Sequence, residues 1–439
     1  MQMQDTNSPG RQKKSSTSDL FIMKSRILTN IKQLLNIRPD ARPLYGNELA
    51  SLPGIDDAYL ITEGAEIAGY GKMAALKNDH ARLPEDQLDC SGRLLLPCWC
   101  DSHTHLVFAG SREHEFVDRI RGLSYAEIHA RGGGILHTVE QVRQAPEDEL
   151  FRQAWKRLTE VSLQGTGAIE IKSGYGLTLD SELKMLRVIK KLREKSPPTI
   201  RSSVRGAHTY PAAYRENHEG YIRELIDEML PVIAKEKLAD YIDVFCENGF
   251  FNVEETERIL RAGLHYGLKP KLHCNQLNSI GGVQTGIKMN AVSLDHLEKI
   301  SAKDLESFTS SGWKGICTLL PTAAYFLGMA LPKARTLLNA GCALALATDY
   351  NPGSSPSGNM NQVISMACIQ MNLLPEEAIN AATINGAFAM ESGNSIGSIA
   401  CGKRANLLLT DPVPSPAYLP YAFGTNHIHK VMIGGEFIS

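Results

Sequence analysis

The sequence predicts an α/β fold: a (β/α)8 TIM-like barrel joined to a small composite β-sandwich domain built from the N- and C-terminal segments. Three observations lead there. From Cys98 onward, short apolar runs alternate with long helix-like stretches, the signature of βα units and a parallel sheet. Eight such runs can be counted, the number a closed barrel of this type needs. The text before and after this region reads instead as strands and turns, and its two ends resemble each other more than they resemble the middle.

The elements follow in order. Residues 1–18 are polar, lack the apolar core of a secretory signal, and read as a disordered tail. Residues 19–95 hold strand-like runs such as "DAYLITEGAEIAGYG" and "GRLLLP". The alternating pattern begins at Leu20, which argues against Met23 as an internal start. Residues 96–395 carry the eight runs: "CWCDSHTH", "TGAIEIKSG", "TIRSSVRGAH", "YIDVFCENG", "KPKLHCNQ", "AVSLDHLE", "GICTLLP" and "CALALATDYNPG". Stretches such as "DSELKMLRVIKKLREK" and "VEETERILRAGLHYG" lie between them as helices. The segment 106–165 is too long for one crossover and predicts extra helices and a loop over the barrel mouth. After the helix "PEEAINAATINGAFAM", residues 396–439 return to strands that pair with 19–95.

Composition narrows the function. A chain of 439 residues with 43% hydrophobic and 21% charged residues is ordinary for a globular protein. The net charge of −2 gives no global attraction to nucleic acid or to an anionic membrane. No apolar run approaches the roughly 20 residues of a membrane span. The nine cysteines form no CxxC pair, and several lie in apolar runs, so a reducing, cytoplasmic setting is expected.

In such a barrel the chemistry sits where the strands end. The polar residues there are Asp101, His103 and His105; Lys172 and Tyr175; His208; Glu247; His273 and Gln276; His296; Asp349 and Asn351. His103 and His105 share a strand face, because side chains alternate with period 2. Alone, an H-x-H pair is as consistent with two structural histidines, and His273 or His296 would pass as satisfied core residues. Asp349 follows six mostly apolar residues, where a carboxylate is costly unless paired or metal-bound. One metal explains the set better than separate coincidences. His103, His105, His273 and Asp349 form the expected ligand set around one divalent ion, Zn(2+) or Fe. A water at a fifth position would have its pKa lowered to roughly 7. Asp349 would take its proton, and His296 would hold the water or stabilise the oxyanion. Barrel hydrolases with two metals often bridge them with a carboxylated lysine ending the fourth strand. Lys172 ends the second, so a one-metal site is expected, with Glu247 second to it or structural.

The words "DSHTHLVFAGSREHEF", "RGGGIL", "EIKSGYGL", "GAHTYP", "SLDHLE" and "TDYNPG" run in order from residue 101 to 353. Together they resemble the amidohydrolase superfamily, and within it the cyclic amidohydrolases of histidine breakdown. The resemblance implies hydrolysis of 4-imidazolone-5-propanoate to N-formimidoyl-L-glutamate with zinc or iron, no nucleic-acid or membrane partner, and a possible homodimer. It makes Arg112, Tyr175, His208, Asn351, Gly353 and Ser354 the substrate-contacting residues. A guanidinium suits a propanoate, although Arg112 can equally pair with Glu113 or Glu115. Gly353 and the N–H groups after it suit a second anionic end. "RGGGI" reads as a lid rather than a phosphate loop. Two departures stand out. Gln276 replaces a glutamate of some members and cannot be a base, though it can hydrogen-bond the imidazolone ring. Asn406 replaces the usual aspartate in "GKRANLLLTD". Two other readings compete: a deaminase or other mononuclear amidohydrolase acting on a small cyclic amidine or amide, and a non-catalytic metal- or ligand-binding barrel.

Overall fold

The structure, a computed structural model, describes residues 24–76, 83–123, 127 and 133–439. The expected tail 1–18, the strand start at Leu20 and the Arg131–Gly132 part of "RGGGI" fall outside these residues.

Eight parallel strands occupy the eight predicted runs. They are Trp99–Thr104, Thr166–Lys172, Thr199–Ala207, Tyr241–Cys246, Lys269–Cys274, Ser293–His296, Ile316–Leu319 and Ala343–Leu346. Each pairs with the next in sequence. The ring closes through the chain just past the eighth strand: His105 N donates to Tyr350 O at 2.9 Å, and Asp349 N donates to His103 O at 3.0 Å. Burial on both faces explains why these strands read as nearly continuous apolar runs. The predicted helices follow, including Leu179–Lys195 and Val253–His265, the latter capped by Asn252 with Glu255 closing a capping box. Segment 106–165 carries three described helices, Glu113–Ile120, Ile135–Gln144 and Glu147–Leu163.

The terminal segments build one second sheet. Leu407–Pro412 pairs antiparallel with Arg93–Pro97 on one side and Ile428–Ile433 on the other. Ser25–Leu35 takes Gly54–Glu63 antiparallel on its far edge. Leu28, Leu34, Leu60, Leu95, Leu407 and Met432 form part of its core. The interleaving of the two ends is what the matching strand-like text at both termini predicts.

Asn406 clips this sheet to the barrel. Its Nδ2 donates to Gly167 O at 3.2 Å at the start of the second barrel strand, and its Oδ1 accepts from Gly434 N at 2.9 Å. The side chain is 4% exposed. An ionised aspartate could accept here but not donate, which gives the departure from aspartate a physical basis. Asn406→Asp should cost about 1–3 kcal/mol, the usual loss when a buried partner goes unsatisfied. Denaturant unfolding checks this; wild-type stability would show that the donor is not used.

Candidate metal centre and substrate pocket

The metal-type residues meet at the C-terminal mouth of the barrel. His103 and His105 leave the first strand on one face, His273 comes from the fifth, His296 from the sixth, and Asp349 from just past the eighth. All five are at most 3% exposed. The ring centroids of His103 and His273 lie 4.3 Å apart, and those of His103 and His105 5.5 Å. Asp349 Oδ1 stands 3.5 Å from His103 Nε2 and 3.7 Å from His105 Nε2. His296 shares the cluster, with ligand-type atoms close to His103 and His273. Asp349 and His296 have φ of 52° and 84°, a region non-glycine residues rarely enter and one that clusters at functional sites.

Two of the imidazoles are fixed from behind. A carboxylate only accepts, so His103 Nδ1 donates to Asp295 Oδ2 at 2.7 Å and His273 Nδ1 to Asp243 Oδ1 at 2.8 Å. This assigns the tautomer: both Nε2 atoms carry lone pairs aimed into the cluster. Neither Nε2 has a hydrogen-bond partner although both are buried, and His105 Nδ1 is likewise buried and unpartnered. Burial pushes the pKa of His103, His105 and His273 well down, with Lys172 adding most for His103 and Arg205 for the other two. Buried, neutral, unpartnered imidazoles converging with a carboxylate are costly as they stand. Three nitrogens and one oxygen are the donor set of a divalent metal, and His103, His105, His273 and Asp349 fit it.

Lys172 has another task than bridging metals. Its Nζ pairs with Glu170 Oε1 at 2.6 Å, Asp243 Oδ2 at 2.7 Å and Asp295 Oδ2 at 3.5 Å, all fully buried. Burial lowers its pKa, but the three carboxylates outweigh that and hold it raised, so the ammonium stays charged. Lys271 pairs with Glu170 from the other side, and Ser203 donates to Glu170 at 2.5 Å. The barrel interior below the imidazoles is therefore ionic, where barrels of this architecture usually stack branched apolar side chains.

Above the cluster lies a pocket lined by Arg112, Tyr175, His208, Gln276, Asn351 and Ser354, together with Arg205, Phe245 and Ile135. His208 Nδ1 donates to Gly174 O at 2.8 Å, which leaves Nε2 as an acceptor. Gly174 has φ of 118°, and a Cβ there would crowd Arg205 O and His208 Nδ1, so glycine is needed to present that carbonyl. Burial first, and then the Asp349 charge, raise the pKa of Tyr175, keeping its phenol protonated. Arg112 resolves to Glu115 rather than Glu113: Nε and Nη2 donate to its two oxygens at 2.8 and 2.6 Å. Glu115 also accepts from Gly134 N at 2.8 Å, tying the glycine loop to this pair. The N–H groups of Gly353 and Ser354 are not open to an anion, because both donate to Asn351 Oδ1 at 2.8 Å. A Cβ at Gly353 would overlap Arg112 Nη1. That lets Arg112 lie against the turn. Glu247 accepts from Leu277 N at 2.8 Å and Asn248 N at 3.0 Å, so it orders the loop that presents Gln276.

Sequence reasoning missed Glu170, Asp243, Asp295, Lys271 and Arg205. A usable signal existed for the acids: Asp243 in "YIDVFC" and Asp295 in "SLDHLE" are carboxylates flanked by apolar strand residues, the same anomaly that marks Asp349.

The fold and this centre define a metal-dependent barrel hydrolase, and comparison with known proteins agrees. The amidohydrolase family model matches residues 94–438. An imidazolonepropionase of Flavobacterium johnsoniae is 52% identical over 413 residues, covering 94% of this chain and 99% of the relative. One from Thermoanaerobacter pseudethanolicus is 39% identical, covering 92% and 96%. Among solved structures, a zinc-bound adenosine deaminase from Xanthomonas campestris has a TM-score of 0.68 at 16% identity, with 94% of this chain and 92% of that one covered. Guanine deaminase of E. coli has 0.67 at 15%, covering 94% and 99%. The chain belongs to the amidohydrolase family, and within it to the imidazolonepropionases.

If Asp243 and Asp295 orient His273 and His103, Asp243→Ala and Asp295→Ala should each weaken metal binding by about 10–100-fold, the usual effect of losing such a partner. Competition with a chromogenic chelator measures it. Unchanged affinity in folded variants would contradict the orientation.

Proposed function

We infer that the chain hydrolyses 4-imidazolone-5-propanoate to N-formimidoyl-L-glutamate, the cyclic amide hydrolysis of histidine breakdown. The observation that carries this is the set of buried imidazole nitrogens converging beside Asp349, opening on a pocket lined by Arg112 and Arg205, in a chain half identical to imidazolonepropionases along nearly its whole length.

His103, His105, His273 and Asp349 would hold the metal, which when bound would supply Lewis-acid activation of water and carbonyl; this donor set suits zinc or iron. The protein's own groups do the rest. Asp349 Oδ2 accepts from Ser354 Oγ at 3.2 Å, which sets the carboxylate's rotation, and burial pushes its pKa up to about 6. Such a carboxylate takes a proton from water and passes it to the departing ring nitrogen. His296 Nδ1 faces Glu298 Oε1 at 3.4 Å. Burial lowers its pKa, but Glu298 outweighs that and raises it, so a protonated His296 can donate to the oxyanion that forms at the ring carbonyl. His208 Nε2 accepts from a ring N–H, and Gln276 hydrogen-bonds the ring without taking a proton. Tyr175 lies on the same wall, its ring 5.5 Å from that of His208. Arg112, held by Glu115, lies beside the Asn351–Ser354 turn and offers Nη1 to the propanoate.

All nine cysteines are free, which suits a reducing cytoplasmic setting. Among the described residues no helix is long and apolar enough to cross a membrane.

Ring opening adds the mass of one water to the substrate, whereas deamination exchanges NH for O, so product mass separates the two activities; a deaminated product would overturn this reading. Asp349→Asn should reduce turnover by at least about 10²-fold, the low end for a general base, while Gln276→Glu stays active. Steady-state kinetics test both, and near-wild-type turnover in Asp349→Asn would contradict the role given to the carboxylate.

A further inference from the structure

We infer that Arg205 is a second carboxylate-binding group of the pocket, and the one whose charge is not already spent within the protein; this rests on the hydrolase reading above. Arg205 lies near the end of the third barrel strand, Thr199–Ala207. It is 3% exposed, and that remaining surface opens on the pocket. Its guanidinium carbon sits 5.3 Å from the centroid of the Phe245 ring, which holds the plane in place. Its Nε is buried without a hydrogen-bond partner.

The other cations of the site are matched. Lys172 pairs with Glu170 and Asp243, Lys271 with Glu170, and Arg112 is held side-on by both oxygens of Glu115. No carboxylate among the described residues forms an ion pair with Arg205. The nearby acids are committed elsewhere: Asp243 and Asp295 to imidazoles and Lys172, Asp349 to the metal-type cluster and Ser354. A buried guanidinium with no counter-ion is costly, and an anion that arrives with the ligand removes the cost.

The reaction provides such anions. The substrate carries a propanoate. Hydrolysis adds the water oxygen to the ring carbonyl carbon and breaks the ring C–N bond. The nitrogen takes a proton, and a second carboxylate is left where the carbonyl was. Arg112 lies against Gly353, while Arg205 lies over Phe245 on the wall built by the third and fourth barrel strands. Both arginines line the one pocket. A carboxylate on Arg205 comes either from the propanoate or from the ring carbonyl after opening.

Kinetics of Arg205→Met and Arg205→Lys separate these sources, with metal content and unfolding temperature as controls. The probes are imidazolone propanoate, its 5-methyl analogue lacking the carboxylate, and added N-formimidoyl-glutamate as product inhibitor. If Arg205 takes the propanoate, Arg205→Met lowers kcat/KM for the substrate relative to the analogue by about tenfold or more, the loss expected for a charge-assisted hydrogen bond. If it takes the new carboxylate, that ratio holds and the product's inhibition constant rises by about tenfold instead. Arg205→Lys, which keeps the charge but loses the fork, moves the same quantity less, and it decides the matter if the methionine variant does not fold. Equal loss on both substrates with product inhibition unchanged, or no change in either quantity, would overturn the assignment. A wild type that fails to open the ring would overturn the hydrolase reading, whereas an active wild type with unmoved variant ratios overturns Arg205 alone.

Discussion

The pairing of Lys172 with the carboxylates of Glu170, Asp243 and Asp295 is the interaction on which the rest of the site depends. Two ammoniums, Lys172 and Lys271, face three carboxylates inside a barrel that excludes water. Asp243 gives one oxygen to Lys172 and the other to His273 Nδ1, whereas Asp295 turns a single oxygen toward both Lys172 and His103 Nδ1. His103 and His273 are thereby each held in one tautomer and one orientation before any ligand arrives. Such preorganisation makes the arrangement costly when empty and favourable with a dication in place.

The eight-strand architecture makes this network possible. Residues alternate inward along each strand, so Glu170 and Lys172, Lys271 and His273, and Asp101 and His103 stack as successive inward positions. Asp101, two residues below His103, accepts from Thr348 N and Thr348 Oγ1 at 3.0 and 2.6 Å. It thus anchors the residue before Asp349 to the first strand. The left-handed backbone at Asp349 is set between that anchor and the Asn351–Ser354 turn. Backbone strain at the metal-type carboxylate is balanced by bonds on both sides of it.

Much of this was legible in the sequence, for a physical reason. His103, His105, His273, His296 and Asp349 interrupt apolar runs at strand ends, where a polar group has no cheap explanation. The barrel itself was legible because burial on both faces writes each strand as a short apolar run. The supporting charges were harder to read. Asp243 and Asp295 sit within strand text whose apolar neighbours dominate, and their partners come from strands far away in sequence. Lys172 was visible as an oddity but not as the centre of a network, since its contacts with Asp243 and Asp295 come from strands brought together only by the barrel. Arg112 could be narrowed to Glu113 or Glu115, and helix geometry chose the residue three positions on. Gly353 was expected to offer its N–H to an anion, yet Asn351 turns back and takes it. A local side-chain bond of this kind competes with ligand binding without leaving a distinct mark in sequence.

On the proposed reading, one divalent ion held by three imidazoles and Asp349 makes this pocket a ring-opening hydrolase. Stripping the purified protein with a chelator and titrating zinc or ferrous ion back, while following loss of imidazolone propanoate absorbance, tests it most directly. Turnover should disappear with the metal and return to its plateau at one equivalent per chain. Full turnover in demonstrably metal-free protein, or a plateau reached only at two equivalents, would contradict it.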